Sequence, residues 1–241
     1  MKHIAIALLM AAALAAAEKK DVEIKAPDGL NLKGTYYSPG KPGPAILLLH
    51  QCNMDRHAWD GLAEDLANHG FHVLTVDFRG YGESVNAEYN SPSQGRRAVR
   101  DKWPGDVDAA YAFLLRQKGI EKTRIAAGGA SCGVTQAADL ADRHHEIRAL
   151  LLLSGMASEP ARAYLTANPG VAVFGAASEG DTNAAKGIRE AEGASKDPQS
   201  TLRILAGTEH GVPMFAKHPD LEPAIVAWLT EQVHSRGGGS R

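Results

Sequence analysis

Cysteine is the scarcest residue of this chain, with only Cys52 and Cys132 among 241 residues. Two cysteines are too few for a secreted protein that is held together by a disulfide framework. A strong charge of either sign is also missing, since the formal net charge is -2 at pH 7. The sequence therefore offers no field that would attract nucleic acid or an acidic membrane. The hydrophobic share of 44% is still enough for one sizeable core.

Long apolar runs are rare as well, and the clearest one, residues 4–16, follows Lys2. It is too short to span a bilayer, which takes about 20 apolar residues. A positive residue, a short apolar run and small residues before Glu18 are typical of a signal peptide, here residues 1–17. We predict an exported protein, periplasmic or secreted, with no membrane span after signal removal. An alanine-rich helix of a cytosolic protein is the alternative.

Strand-like and helix-like segments alternate along the rest of the chain. Two runs that alternate apolar and polar residues around a turn predict an N-terminal hairpin, at 21–25 and 30–36. Apolar runs typical of buried parallel strands occur at 45–49, 71–77, 124–129, 148–154, 170–176 and 201–205. Helical periodicity occurs at 57–69, 103–117, 134–142, 182–192 and 221–234. The order predicts an α/β fold, a mainly parallel sheet with helices on both faces and an antiparallel N-terminal hairpin.

The chain shows no internal repeat and no break in composition. We therefore predict a single domain over residues 18–236 and a disordered tail over 237–241. The polar stretch 79–101 is the longest without predicted structure. About fifteen residues separate Ser154 from Val171, which is too few for a helical lid domain.

A G-x-S-x-G pattern, Gly129 to Gly133 with Ser131 at its centre, lies between a strand-like and a helix-like run. A sharp strand-to-helix turn strains the backbone of its central residue, and glycines two positions away relieve the crowding. The hydroxyl then stands exposed above the sheet edge, beside the N–H groups of a helix N-terminus. Ser131 is therefore the predicted nucleophile.

A serine hydroxyl needs a base to accept its proton, and that base needs an orienting acid. In open α/β sheets reactive groups collect at the carboxyl ends of strands. Asp181 and His210 follow two successive predicted strands, which gives the chain order nucleophile, acid, base. Glu179 is the alternative acid. His218 is the alternative base, although it lies near the start of the last predicted helix.

Together these motifs resemble the α/β-hydrolase family, near its small, lidless dienelactone-hydrolase-like branch. The resemblance covers about residues 21–236 and rests on five short segments: 49–52, 77–84, 129–133, 178–181 and 209–211. It implies that Ser131 is the nucleophile, His210 the general base and Asp181 the orienting carboxylate. Two positions depart from the pattern. Gln51 stands where glycine is common. The centre of the strand-to-helix turn, called the elbow below, is serine where dienelactone hydrolases proper have cysteine.

The resemblance also implies an oxyanion hole built from the N–H of Cys132 and an N–H of Gln51 or Cys52. Both donors must lie about 3 Å from one oxygen, so the residues that carry them must be close neighbours. We therefore hypothesise that Cys52 and Cys132 lie within disulfide range, with Cα atoms about 4.4–6.8 Å apart. Two free buried thiols are the alternative.

Other residues receive secondary roles. His50 is interpreted as a structural tether of neighbouring loops, and Asp77 and Arg79 as an internal charge pair. The three tryptophans fall in helix-like segments and are predicted core residues, although Trp103 is also a candidate substrate contact. The other candidate substrate contacts are Tyr81 and Tyr89. The pair His144 and His145 lacks further ligands at metal-site spacing.

The sequence thus predicts a serine hydrolase that cleaves small carboxylic esters through an acyl-enzyme, with no metal or organic cofactor. Its partner is a small-molecule ester, and without a lid the pocket is expected to be open. A lactonase or peptidase with the same three residues remains an alternative. So does a non-catalytic binding protein with this fold. The natural substrate and the oligomeric state stay open.

Overall fold

A single sheet organises the residues that the computed structural model describes, 17–88 and 96–235. Its strands are β1 (Glu18–Lys25), β2 (Asn31–Ser38), β3 (Gly43–Leu49), β4 (His72–Val76), β5 (Ile120–Ala130), β6 (Ile147–Leu153), β7 (Ala172–Ser178) and β8 (Thr201–Leu205). Their order across the sheet is β1-β2-β4-β3-β5-β6-β7-β8. The predicted signal peptide except its last residue, the predicted tail and Tyr89 lie outside the described residues.

The sheet is antiparallel at one end and parallel elsewhere. β1 pairs with β2, and β2 with β4, in antiparallel fashion. Every other pairing is parallel. The parallel strands β3, β4 and β7 are buried throughout, as their apolar runs predict, whereas the charged edge strand β1 is mostly exposed. The predicted fold class is confirmed.

Helices cover both faces of the sheet. They are α1 (Asp60–Asn68, preceded by a 3₁₀ turn at Arg56–Trp59), α2 (Arg96–Arg100), α3 (Trp103–Leu115), α4 (Cys132–Arg143), α5 (Glu159–Ala167), α6 (Thr182–Ala194), α7 (Met214–Lys217) and α8 (Leu221–Ser235). None of those in the described ranges combines the length and apolar character needed to cross a membrane.

Three of these helices, α2, α5 and α7, are additional to the sequence prediction. The start of α5 follows ordinary capping rules: Ser158 Oγ accepts a hydrogen bond from Ala161 N at 3.1 Å, and Pro160 lies in the first turn. These short helices carry too few apolar repeats for periodicity to reveal them.

The sheet separates two hydrophobic cores. Along β3 the side chains alternate, so Leu47 packs in one core and Leu48 in the other. Trp103 lies in the first core, and Trp59 and Trp228 lie in the second. The three tryptophans are therefore core residues of helical segments, as predicted.

Asp77 and Arg79 do not pair with each other, so that interpretation is wrong. Arg79 binds Asp106 (Nη2–Oδ1 2.7 Å) and Asp28 (Nη1–Oδ2 2.5 Å), whereas Asp77 accepts from Arg56 Nη1 at 2.6 Å. A guanidinium carries five N–H donors, and when buried it needs more acceptors than one carboxylate supplies. Arg79 is 1% exposed and takes them from the hairpin turn and from α3. Its hydrogen bonds lower the pKa of Asp28 to about 2.

The carboxyl ends of β3, β5, β7 and β8 meet along one edge of the sheet. The loops that follow these strands carry all the residues predicted to act on a substrate carbonyl. Cys52 follows β3, Ser131 follows β5, Asp181 follows β7 and His210 follows β8. The topology thus assembles a candidate site from segments that are far apart in the sequence.

Candidate active site

Ser131 connects β5 to α4 and has a strained backbone. Its φ of 53° and ψ of -116° are rare for a residue other than glycine. Such conformations cost about 1–3 kcal/mol and persist only where the surroundings impose them. Here Ser131 N donates to Leu153 O at 2.8 Å, and Val134 N donates to Ser131 O at 3.0 Å. The predicted strand–turn–helix elbow is confirmed.

Crowding inside this turn explains the glycine at position 129. A Cβ placed on Gly129 would overlap the carbonyl of Gly133 and approach the N–H of Val134. Because both groups are backbone, they cannot move aside without opening the turn. Glycine at the first position of the G-x-S-x-G pattern is therefore a steric requirement of the turn that holds Ser131.

Asp181 and His210 are in direct contact. Asp181 is the residue that precedes α6, and its Oδ2 lies 2.5 Å from His210 Nδ1. The His210 side chain is 43% exposed and that of Asp181 is 19% exposed. The alternative acid, Glu179, is exposed, and its backbone N–H donates to Leu205 O. The structure thus brings Asp181 to the imidazole and leaves Nε2, the nitrogen that a general base would use, on the other side of the ring.

The His210 loop packs against the strand end that carries Ser131. A Cβ placed on Gly211 would lie 3.4 Å from Ala130 Cβ, so the sequence neighbours of His210 and Ser131 lie close together. Among the described residues, no hydrogen bond joins the Ser131 hydroxyl to the His210 ring. Catalytic hydrogen bonds are often long in ligand-free enzymes and tighten when substrate binds. The contact between Asp181 and His210 is therefore formed, while no hydrogen bond among the described residues connects the His210 ring to the Ser131 hydroxyl.

Cys52 and Cys132 form a disulfide, with Cα atoms 5.8 Å apart, which confirms the hypothesis. Cys132 is the first residue of α4, where a backbone N–H has no acceptor within the helix. Cys52 lies on the loop after β3, next to the buried Gln51. The bond therefore joins the two segments that were predicted to supply oxyanion donors.

The family model of the alpha/beta hydrolase fold matches residues 44–186, which is more than half of the chain. The chain belongs to the α/β-hydrolase family. An uncharacterized protein of Mycobacterium tuberculosis is 34% identical over 124 residues, which is 51% of this chain and 41% of that relative. The chain thus spans less than half of the length of this curated relative.

Solved structures agree with the family assignment at the level of fold. An esterase of Pyrococcus furiosus has a TM-score of 0.67 at 18% identity, covering 95% of this chain and 96% of that one. A dienelactone hydrolase of Anabaena variabilis has a TM-score of 0.69 at 16% identity, covering 92% of this chain and 99% of that one. At these identities the similarity shows a shared fold alone.

In this α/β-hydrolase, His50 tethers two loops, as predicted. Its Nδ1 lies 2.7 Å from Gln51 O, and its Nε2 accepts from Phe78 N at 3.0 Å. A ring that accepts at Nε2 and donates at Nδ1 is the neutral tautomer. Burial also lowers the pKa of His50, which favours the same state. His50 therefore holds the loop after β3 against the loop after β4.

Tyr81 and Trp103 pack into an aromatic cluster of the hydrolase core. Trp103 stacks on Phe78 with ring centroids 4.5 Å apart, and Tyr81 meets Trp103 edge-on at 6.0 Å. Trp103 is only 2% exposed, and its indole N–H donates to Arg79 O at 3.4 Å. Stacking and apolar burial keep both rings from an accessible surface. Neither is retained as a substrate contact.

Two other histidines considered in the sequence analysis lie within hydrogen-bond distance of an oxygen atom of another residue. His218, the alternative base, follows α7, and its Nε2 lies 2.8 Å from Ala206 O. His144 Nε2 lies 3.1 Å from Asp108 Oδ1. Across residues 17–88 and 96–235, no group of three or more His, Cys, Asp or Glu side chains is placed to hold a metal ion.

The described residues of the candidate site are partly exposed, since the side chain of His210 is 43% exposed and that of Asp181 is 19% exposed. Clefts of about 550 Å³ beside β1 and about 670 Å³ between α5 and α6 are lined by other residues, and neither includes Ser131, Asp181 or His210.

Proposed function

We propose that this protein is a serine hydrolase that cleaves small carboxylic esters through an acyl-enzyme. The observation that carries the proposal is the 2.5 Å contact between Asp181 and His210, beside a strained Ser131 elbow. A binding protein with this fold has no need of a carboxylate on the imidazole or of a serine held in a costly conformation. The hydrolase fold supports the same conclusion.

Acylation would begin when His210 Nε2 takes the Ser131 proton as Oγ attacks the ester carbonyl. Asp181 keeps the other ring nitrogen protonated and stabilises the imidazolium that forms. Because no hydrogen bond joins the ring to the hydroxyl among the described residues, the two groups have to approach each other before the proton is transferred. His210 then gives its proton to the leaving alcohol.

The tetrahedral oxyanion would be held by the N–H of Cys132 and by one N–H of Gln51 or Cys52. Removal of one such donor typically costs about 10²- to 10³-fold in kcat. Water then attacks the acyl-enzyme, with His210 acting again as base. The exposed His210 side chain, at a site that we propose to be open to solvent, favours small, soluble esters over long-chain lipids.

A fluorophosphonate probe tests the proposal directly, because it reacts only with an activated serine. We expect the wild-type protein to be labelled and a folded Ser131→Ala variant to remain unlabelled. An unlabelled wild-type protein would contradict the proposal and favour a binding protein. Assays with p-nitrophenyl acetate, a lactone and a peptide anilide then separate an esterase from a lactonase or a peptidase.

A matched pair of variants on one turn tests the acid. Asp181→Asn removes the carboxylate that orients the imidazole and is expected to lower kcat about 10³- to 10⁴-fold. Glu179→Gln makes the same chemical change two residues away and is expected to leave kcat within about twofold, because Glu179 is exposed. Equal losses in both variants would refute the assignment of Asp181.

The proposal includes export from the cytoplasm. Residues 1–17 match a signal peptide, and a disulfide between Cys52 and Cys132 suits an oxidising compartment. Fractionation of expressing cells, with N-terminal sequencing of the product, tests it. Cleavage before Glu18 is expected, and an intact N-terminus in the cytosol would contradict it.

A further inference from the structure

Gln51 occupies a position where the resemblance leads one to expect glycine, and its side chain has an unusual set of partners. It is 1% exposed, so the amide cannot be satisfied by solvent. Its Oε1 accepts from Val212 N at 2.9 Å, while Nε2 donates to His210 O at 3.3 Å and to Asn53 Oδ1 at 2.8 Å. Two of these three bonds reach the loop that carries His210.

The two partners in that loop form a pattern. The carbonyl of His210 and the N–H of Val212 flank Gly211, and a neighbouring parallel strand would bind the same two groups. The Gln51 amide therefore makes the two hydrogen bonds that a neighbouring strand would make, and it makes them to a loop that has no regular structure over residues 206–210.

Gly211 is shaped to receive this amide. Its φ is 72°, a left-handed conformation that favours glycine. A Cβ at that position would overlap Gln51 Oε1. The close approach and the two hydrogen bonds together fix the peptide groups on both sides of Gly211.

We propose that Gln51 is a positioning residue that clamps the His210 backbone to the loop after β3, an inference that rests on the proposed function. Asp181 holds the exposed imidazole at a single nitrogen, so the ring's remaining freedom depends on the backbone from which it extends. Gln51 supplies one anchor of that backbone, and Ser178 Oγ, which donates to Glu209 O at 2.7 Å, supplies another. Since its own loop also carries candidate oxyanion donors, the base and the oxyanion hole keep a fixed relation.

Variants of Gln51 test the clamp. Gln51→Glu keeps the size and the acceptor for Val212 but cannot donate to His210 O, and Gln51→Met keeps the length without either bond. We expect both to lower kcat about 10- to 100-fold with KM within about threefold, because small misplacements of a catalytic group cost rates of this order. Asn53→Ala is the control. It removes only the third bond, from an exposed side chain, and is expected to stay within twofold.

The proton NMR signal of His210 Nδ1–H, bonded to Asp181, gives a readout independent of turnover. We expect it to broaden or shift in both Gln51 variants and to be unchanged in Asn53→Ala. Folded Gln51 variants with wild-type kcat and an unchanged signal would overturn the proposal, as would failure of both to fold. If the wild-type protein hydrolyses no ester, the proposed function fails, and this signal still decides whether Gln51 positions the ring.

Discussion

Reduction of the Cys52–Cys132 disulfide should weaken both the fold and the chemistry, by amounts that can be measured separately. The bond closes a loop with a sequence separation of 80. In the chain-entropy model a loop of this length is worth about 4.5 kcal/mol, and measured disulfides typically give about 2–4 kcal/mol. We take about 3 kcal/mol. For a domain of about 200 residues this lowers Tm by about 6–12 °C.

The effect on activity has a different origin. The bond holds Cys132, which follows the proposed nucleophile Ser131, at a Cα separation of 5.8 Å from Cys52 on the loop after β3. Without the bond the two proposed oxyanion donors are no longer held near a common oxygen, and loss of one such donor costs about 10²- to 10³-fold in kcat. We expect kcat to fall by up to this factor at 25 °C, where the reduced protein is still folded.

Thermal melting and ester hydrolysis with and without a phosphine reductant measure the two effects. A variant with both cysteines changed to alanine should match the reduced protein and should not respond to reductant. Two free thiols in the denatured, unreduced protein would show that the disulfide is not formed. A Tm within 2 °C of the oxidised protein and an unchanged kcat after verified reduction would refute the expected effects of the bond.

Three further predictions concern the rest of the fold. The pKa of Asp28 is about 2 in the folded protein against 3.8 otherwise, so this carboxylate stabilises the fold above about pH 4, and the stabilisation is lost as pH falls through 2. Because the side chain is 35% exposed, we expect a stabilisation of about 1 kcal/mol. In Asp28→Asn the free energy of unfolding in urea should therefore fall less steeply with decreasing pH across this window. Arg79→Met leaves the Asp106 carboxylate buried without its cation and should lower the free energy of unfolding by about 3–5 kcal/mol. Adding Asp106→Asn should restore part of this loss, and a double variant that restores none would contradict the pairing. Gly129→Ala should destabilise by about 1–3 kcal/mol and reduce serine labelling, and an unchanged melting temperature would argue against the crowded elbow.

The sheet and its elbow were accessible from sequence because their signals are local. Continuous apolar runs such as β3 report burial on both faces, and the glycines around Ser131 report a turn that only small residues can make. Asp181 and His210 were found by topology, since both follow parallel strands. Their contact is then a consequence of the strand order.

What sequence reasoning missed depends on partners that are distant in the chain. Arg79 was paired with its near neighbour Asp77, whereas its carboxylates come from the hairpin turn and from α3. Trp103 was placed near the substrate because nothing local shows that Phe78 stacks on it. Gln51 was noted as a departure from the family pattern, and that departure was the only signal of its contact with the base loop.

The position of β8 in the sheet predicts which part of this protein unfolds first when it is heated. It is the edge strand at the parallel end of the sheet, partly exposed along its whole length, and the loop that follows it carries His210. Opening at such an edge costs less free energy than melting of the central strands. Amide hydrogens of β8 are therefore expected to exchange earliest among the parallel strands. If His210 is the base that we propose, mild heat would inactivate the protein by displacing His210 while the central strands remain folded, so the edge of the sheet would set how long activity lasts.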